Sequence, residues 1–184
     1  ISENGAICMH EGKKYVISEL NHDFAMNIIK EVEKRPNCKL AISTPNTQYI
    51  KSNDDAFYEH MCNHLKYNIT TIDSFHDITE PIVKIAFLDS VTTQESYEHF
   101  HNLFGKEIKI ANAGNLWIDF IPFDSNKGTA LQFLLDKLNL TPSQAVSFCD
   151  QQNDQEMLEL TGLSYAMTHS KPEIQSRATH TTSS

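Results

Sequence analysis

Glycine and proline are scarce, six of each in 184 residues. That excludes collagen-like and Pro/Gly-rich low-complexity architectures. No apolar run comes near the ~18 residues that would make a bilayer-spanning helix, so no membrane partner is expected. There is no cluster of Lys and Arg: 15 basic residues stand against 24 acidic ones, a formal net charge of −9. Broad phosphate-backbone binding needs clustered cations, so nucleic acid is excluded as a partner. Neither G-x-G-x-x-G nor G-x-x-x-x-G-K occurs, which removes the usual nucleotide-binding loops. No C-x-x-C occurs either. Cys8, Cys38, Cys62 and Cys149 are too far apart for a disulfide framework or a zinc ribbon, and they read as reduced thiols of a cytoplasmic protein. No secretory signal pattern is visible at the start, which is Ile1. What is present, 40% hydrophobic and 21% charged residues, is the composition of a globular chain.

The apolar pattern divides the chain near residues 122–126. In the first part, residues 1–20 read as a hairpin with a polar turn at His10–Lys14. Asn21 caps an expected helix over 22–34, with Phe24, Ile28, Ile29 and Val32 in one stripe. Short strands are expected at 38–43 and 47–51. A second helix is expected over 54–67, with Phe57, Met61 and Leu65 four apart. Residues 68–80 read as a short strand and a loop. A strand over 82–88, a helix over 94–104 and a hairpin (107–111 and 115–121 around Asn112-Ala113-Gly114) complete an α/β layer with a largely antiparallel sheet. After Pro122 the texture changes. A helix from Lys127, a buried strand at 145–149, a helix at 154–160, a strand at 164–167, a small helix from Pro172 and a strand at 178–182 alternate with short loops. That alternation predicts a parallel sheet with crossover helices. The expected domains are therefore 1–122 and 123–184.

The chemically informative residues lie in the second part. Lys127-Gly128 opens a helix just after a strand and the polar turn Asp124-Ser125-Asn126. The ammonium would sit where the helix also attracts anions. Asp150-Gln151-Gln152-Asn153-Asp154 follows the C-terminal end of a strand, the edge at which open α/β sheets bind ligands. Two carboxylates and an amide in one turn suit a hard cation such as Mg²⁺. Taken alone, a Lys-Gly is most often a solvated lysine, and an Asp-x-x-Asn-Asp turn is most often a cap. Their order and their strand–helix context give the joint signal its weight: a lysine and a magnesium ion together clamp a phosphoryl group. His60 and His64, four apart, share a helical face but have no third ligand nearby in sequence, and read as surface histidines.

These segments resemble a known family. Asp119–Leu131, Ala145–Leu158 and Gly162–Met167 look like the third and fourth motifs of the haloacid dehalogenase superfamily, and most closely its Cof-like phosphatases with a large α/β cap. The likeness is specific over 119–178 and looser across the cap, to which Asn4-Gly5-Ala6 and the strand at 82–88 are assigned. It implies a partial Rossmann-like parallel core beneath the cap. It also implies Mg²⁺-dependent hydrolysis of small-molecule phosphate monoesters, often sugar phosphates, through an aspartyl-phosphate. By position, Lys127 would be catalytic and hold the phosphoryl group, Asp150 and Asp154 would serve the metal, and Asn153 would touch substrate or phosphate.

The chain also departs from that pattern. The Asp-x-Asp-Gly-Thr stretch that bears the family's nucleophile, and the Ser/Thr motif after it, do not occur, so the chain is expected to be inactive alone. Cys149 stands where the family usually has Gly and is expected either to crowd the phosphate loop or to change how closely the backbone approaches; Thr168-His169 replaces a more usual Asn-Ala. The alternative reading is a module that binds a phosphorylated ligand or a protein without turnover. A core sheet without its N-terminal strand would expose an edge, which predicts either pairing with the missing segment or with another copy of the chain, or stability that comes mainly from the cap.

Overall fold

The computed structural model describes residues 1–113 and 116–183, and it is a mixed α/β structure. Strands β1 (Ile7–His10) and β2 (Lys13–Val16) form the expected hairpin. Its turn is Glu11-Gly12, both at positive φ, which matches the twist of a two-residue hairpin loop.

Helix α1 (His22–Glu33) begins as expected, with the Asn21 side chain accepting from the Phe24 N–H. There follow β3 (Cys38–Ser43), β4 (Gln48–Lys51), α2 (Asp55–Glu59), β5 (Ile69–Ile72), β6 (Lys84–Asp89), α3 (Thr93–Phe104), β7 (Lys109–Asn112) and β8 (Trp117–Ile121). The six strands form one sheet in the order β5-β4-β3-β6-β8-β7, antiparallel at every pairing except β4–β5. Helices α1 and α3 cover one face. There Ile28, Val32, Ile42, Ile85, Phe87, Phe100 and Phe120 are almost wholly excluded from solvent. The Phe100 ring meets those of Phe87 and Phe120 edge-on, at centroid distances of 5.2 and 5.5 Å.

The last third forms α4 (Lys127–Leu138), β9 (Val146–Cys149), α5 (Gln155–Leu160), β10 (Leu163–Met167), α6 (Pro172–Gln175) and β11 (His180–Thr182). As the alternation predicted, the three strands are parallel, in the order β11-β10-β9. Leu158 of α5 and Ile174 of α6 pack with Cys149 and Ala166 on one face.

Three expectations are corrected. The helix expected over 54–67 stops early: α2 gives way to a π-helical turn at His60–His64, and Leu65 is exposed. The chain leaves the helix because Lys66 takes a left-handed conformation, φ +60°. The strand at 145–149 is buried on one face only. Ser147 and Cys149 point inward, while Val146 and Phe148 are exposed, because β9 ends the sheet and the helices lie on the other side. Residues 1–18 were expected to group with 19–122. The compact units are instead Ile1–Ser18 with Asp124–Ser184, and Glu19–Phe123. The hairpin joins the former because it packs on α4, with the Tyr15 and Phe133 rings 5.2 Å apart. Part of the expected loop at 112–114 (Gly114) lies outside the described residues.

Candidate active site

Everything at this site belongs to the unit made of residues 1–18 and 124–184. Asn126 is extended, and its side chain accepts from the Thr129 N–H at 2.8 Å, which turns the chain into α4 with Lys127 first in the helix. The next residue has to be glycine. A Cβ on Gly128 would stand 2.7 Å from the Glu156 Cβ and 2.8 Å from that residue's carbonyl carbon and oxygen. The missing side chain lets the first turn of α4 lie against α5, and this contact brings Lys127 to the turn that follows β9.

That turn is organised by Asp154, which is 4% exposed. One carboxylate oxygen accepts from the Lys127 ammonium in a short contact. The other accepts from the backbone N–H of Gln151 at 3.1 Å and of Asp150 at 3.2 Å. Burial by itself would raise the Asp154 pKa. The Lys127 hydrogen bond and the two N–H donors outweigh it and hold the carboxyl below its ordinary value. Asp154 is therefore an ionised strut of the loop. Asp150 is different: its side chain is 46% exposed, and its carboxylate lies 3.8 Å from the His169 Nε2. Asn153 donates to the Asn4 side chain at 3.4 Å.

The structure thus brings Lys127, Asp150 and Asp154 to one place, with Asn153 beside them. Cys149 does not crowd the loop as expected. Its side chain turns into the small core beside Leu158 and Ala166, and burial pushes its thiol up to about 11.

Sequence reasoning placed Asn4-Gly5 elsewhere, yet this segment abuts the site. Glu3, Asn4 and Gly5 all have positive φ, and a Cβ on Gly5 would stand 2.1 Å from the Asn126 carbonyl oxygen. The Asn-Gly pair was the available signal for such a tight approach. The Ser18 hydroxyl donates to the Asp124 carboxylate at 2.5 Å and ties β2 to the same loop. Ser125 was also missed: it is 2% exposed and its hydroxyl has no partner among the described residues.

The donor set is compatible with a magnesium ion. No cluster of three or more His, Cys, Asp or Glu occurs among the described residues, so a site built wholly from protein ligands, as structural zinc requires, is not formed. Magnesium is commonly held by one or two carboxylates, with waters and substrate phosphate completing its shell. Asp150 has the exposed carboxylate for that role, whereas Asp154 is committed to Lys127 and the backbone.

The profile of the haloacid dehalogenase-like hydrolases matches residues 1–184. The chain belongs to that family. Among its relatives this chain is 26% identical over 169 residues to the 5-amino-6-(5-phospho-D-ribitylamino)uracil phosphatase of Escherichia coli K12, covering 91% of this chain and 62% of that one. A solved structure from Eubacterium rectale superposes with a TM-score of 0.86 at 22% identity, covering 98% of this chain and 69% of that chain. A solved sugar phosphatase of haloacid dehalogenase subclass IIB superposes with a TM-score of 0.74 at 16% identity, over 98% and 68% of the two chains. These superpositions show the shared fold, and the family match with such relatives places the chain in the Cof-like branch. The chain spans about three fifths of the length of the E. coli relative.

Proposed function

We propose that this chain serves Mg²⁺-dependent cleavage of small-molecule phosphate monoesters, with sugar phosphates as the substrate class. The observation that carries the reading is the junction of Lys127, Asp154 and the Asp150 turn. Asp150 would hold the metal, which when bound supplies charge neutralisation at the phosphoryl oxygens. Asp154 serves that metal indirectly, by fixing the Asp150 backbone and by setting the Lys127 ammonium in place. Lys127 would hold a phosphoryl oxygen and oppose the negative charge that gathers there in the transition state. Asn153 would bind the phosphate or the substrate through its side-chain amide. The unit of residues 19–123 would act as the cap that selects the leaving group. No residue of this chain is assigned as the nucleophile, because the Asp-x-Asp-Gly-Thr stretch does not occur in it. The free thiols at 8, 38, 62 and 149 support a cytoplasmic setting. No helix among the described residues is long and apolar enough to cross a membrane.

A second reading shares the same contacts: a module that binds a phosphorylated ligand without turnover, favoured by the missing nucleophile stretch. Calorimetry with glucose 6-phosphate, with and without Mg²⁺, tests what the two have in common. Binding should require the metal and weaken at least tenfold in Lys127→Ala. Binding indifferent to both would overturn the phosphate site. Phosphate release separates the readings once the missing nucleophile stretch is supplied: the hydrolase reading predicts release by a version of the chain extended with an Asp-x-Asp-Gly-Thr segment, and the binding-module reading predicts none.

A further inference from the structure

Two turns leave the parallel sheet at one edge. Strands β9 and β10 run side by side with Ala166 opposite Cys149, so the chain turns away from both at the same C-terminal end. The turn after β9 carries Asp150, and the turn after β10 carries His169. The His169 Nε2 stands 3.8 Å from the Asp150 Oδ2. That separation is too long for a hydrogen bond, so the two groups do not satisfy each other. Both face solvent, with side chains 62% and 46% exposed. Thr168-His169 departs from the family's usual Asn-Ala, so this imidazole is not part of the family pattern.

Each turn is braced from behind. The Asp154 carboxylate holds the backbone N–H groups of Asp150 and Gln151. In the other turn the Gln175 amide donates to the carbonyl oxygens of Thr168 at 3.0 Å and of Ser170 at 2.8 Å, one on each side of His169. The Ser170 N–H donates to the Met167 carbonyl at 2.9 Å, and the Thr168 N–H to that of Thr182 at 3.0 Å. As a solvated ion pair, His169 and Asp150 would contribute little to stability. Two fixed turns that present a carboxylate oxygen and an imidazole nitrogen to one space have the form of a pair of metal ligands. Neighbouring ligand atoms of one first-row ion stand ~3 Å apart, given bonds of about 2.1 Å, so a side-chain shift of about 1 Å brings the pair together.

We propose that His169 is a second protein ligand of the metal held at Asp150, and that its nitrogen turns the site toward the divalent ions that favour imidazole, such as Mn²⁺, Co²⁺ and Ni²⁺. Magnesium favours oxygen donors and gains little from an imidazole, whereas these ions bind one well. Water and phosphate complete the shell, because no third His, Cys, Asp or Glu joins the pair among the described residues. The inference rests on the reading of Asp150 as the metal-holding carboxylate and adds which ions that site prefers.

The full chain is loaded with Mn²⁺, and pulsed electron paramagnetic resonance reads the coupling of the ion to nitrogen nuclei. Imidazole coupling should be present, should vanish in His169→Ala and in His169→Gln, and bound Mn²⁺ should be lost in Asp150→Asn. Calorimetry with Co²⁺ and with Mg²⁺ gives a second readout. In His169→Ala the affinity of the Asp150-dependent site for Co²⁺ should fall at least tenfold, and that for Mg²⁺ less than twofold. Circular dichroism checks both His169 variants, and should one fail to fold, the other still reads the effect. Mn²⁺ held through Asp150 without nitrogen coupling, coupling that persists in a folded His169 variant, or Co²⁺ affinity unchanged in it overturns the inference and leaves the reading of Asp150 standing. Mn²⁺ that does not bind, or that binds undiminished in Asp150→Asn, overturns both.

Discussion

Gly5 and Asp154 are the two residues on which the geometry of the site turns. Gly5 combines a φ of +102° with a gap of 2.1 Å between a notional Cβ and the Asn126 carbonyl. Gly5→Ala is therefore expected to lose more than about 2 kcal/mol of stability, read by urea unfolding; a neutral substitution would show that the segment does not brace the loop. Asp154→Asn leaves the Lys127 ammonium without its counter-charge and puts an amide where two N–H donors need an acceptor. A loss of about 3 kcal/mol is expected, with part of it recovered in the Lys127→Met/Asp154→Asn double variant. At this scale the sequence was informative about residue types and poor on their partners. Lys127 and Asp150 could be read from their places at a helix start and a strand end. That Asp154 turns back on the Asp150 and Gln151 backbone depends on a rotamer, and a spacing does not encode it. The inward turn of Cys149 follows from strand alternation, which places it on the face covered by α5 and α6.

Among the elements, α3 shows how a strand end sets a helix. Asp89, 1% exposed at the end of β6, accepts from the backbone N–H of Val91 and Thr92, each at 2.9 Å, and from the Ser96 hydroxyl at 2.6 Å. Burial alone would raise its pKa; the Ser96 and backbone donors outweigh it and bring the carboxyl below the usual 3.8. A carboxyl depressed on folding stabilises the native state above its unfolded pKa and loses that contribution as pH falls through the folded value. Asp89→Asn should thus cost about 2 kcal/mol at pH 7, and the difference from wild type should shrink as unfolding is measured below about pH 3.8. A difference that stayed constant with pH would remove the charge from the explanation. Helices such as α1 were legible because a stripe and an Asn cap agree. The π-helical turn after α2 was not, because Phe57 and Met61 keep their burial while the backbone hydrogen bonds lengthen by one residue and Leu65 is released to solvent.

For the molecule as a whole, the break near residue 123 was visible as a change from antiparallel to parallel patterning. The return of residues 1–18 to the C-terminal unit was not, since it rests on the Gly5 approach and the Tyr15–Phe133 contact, both distant in sequence. Each unit has its own buried cluster, so Gly5→Ala should lower amide-exchange protection at 1–18 and 124–184 and leave that of Ile42, Ile85 and Phe87 unchanged. The account's central claim is that the Asp150 turn and Lys127 hold a divalent ion and a phosphate together. Manganese substituted for magnesium tests it most directly, through the phosphorus resonance of added inorganic phosphate. The line should broaden beyond the protein-free manganese control, and should return to that control in Asp150→Asn and in Lys127→Ala. Broadening that persists undiminished in both variants, or manganese that binds the wild-type chain without broadening the phosphate line, would contradict it.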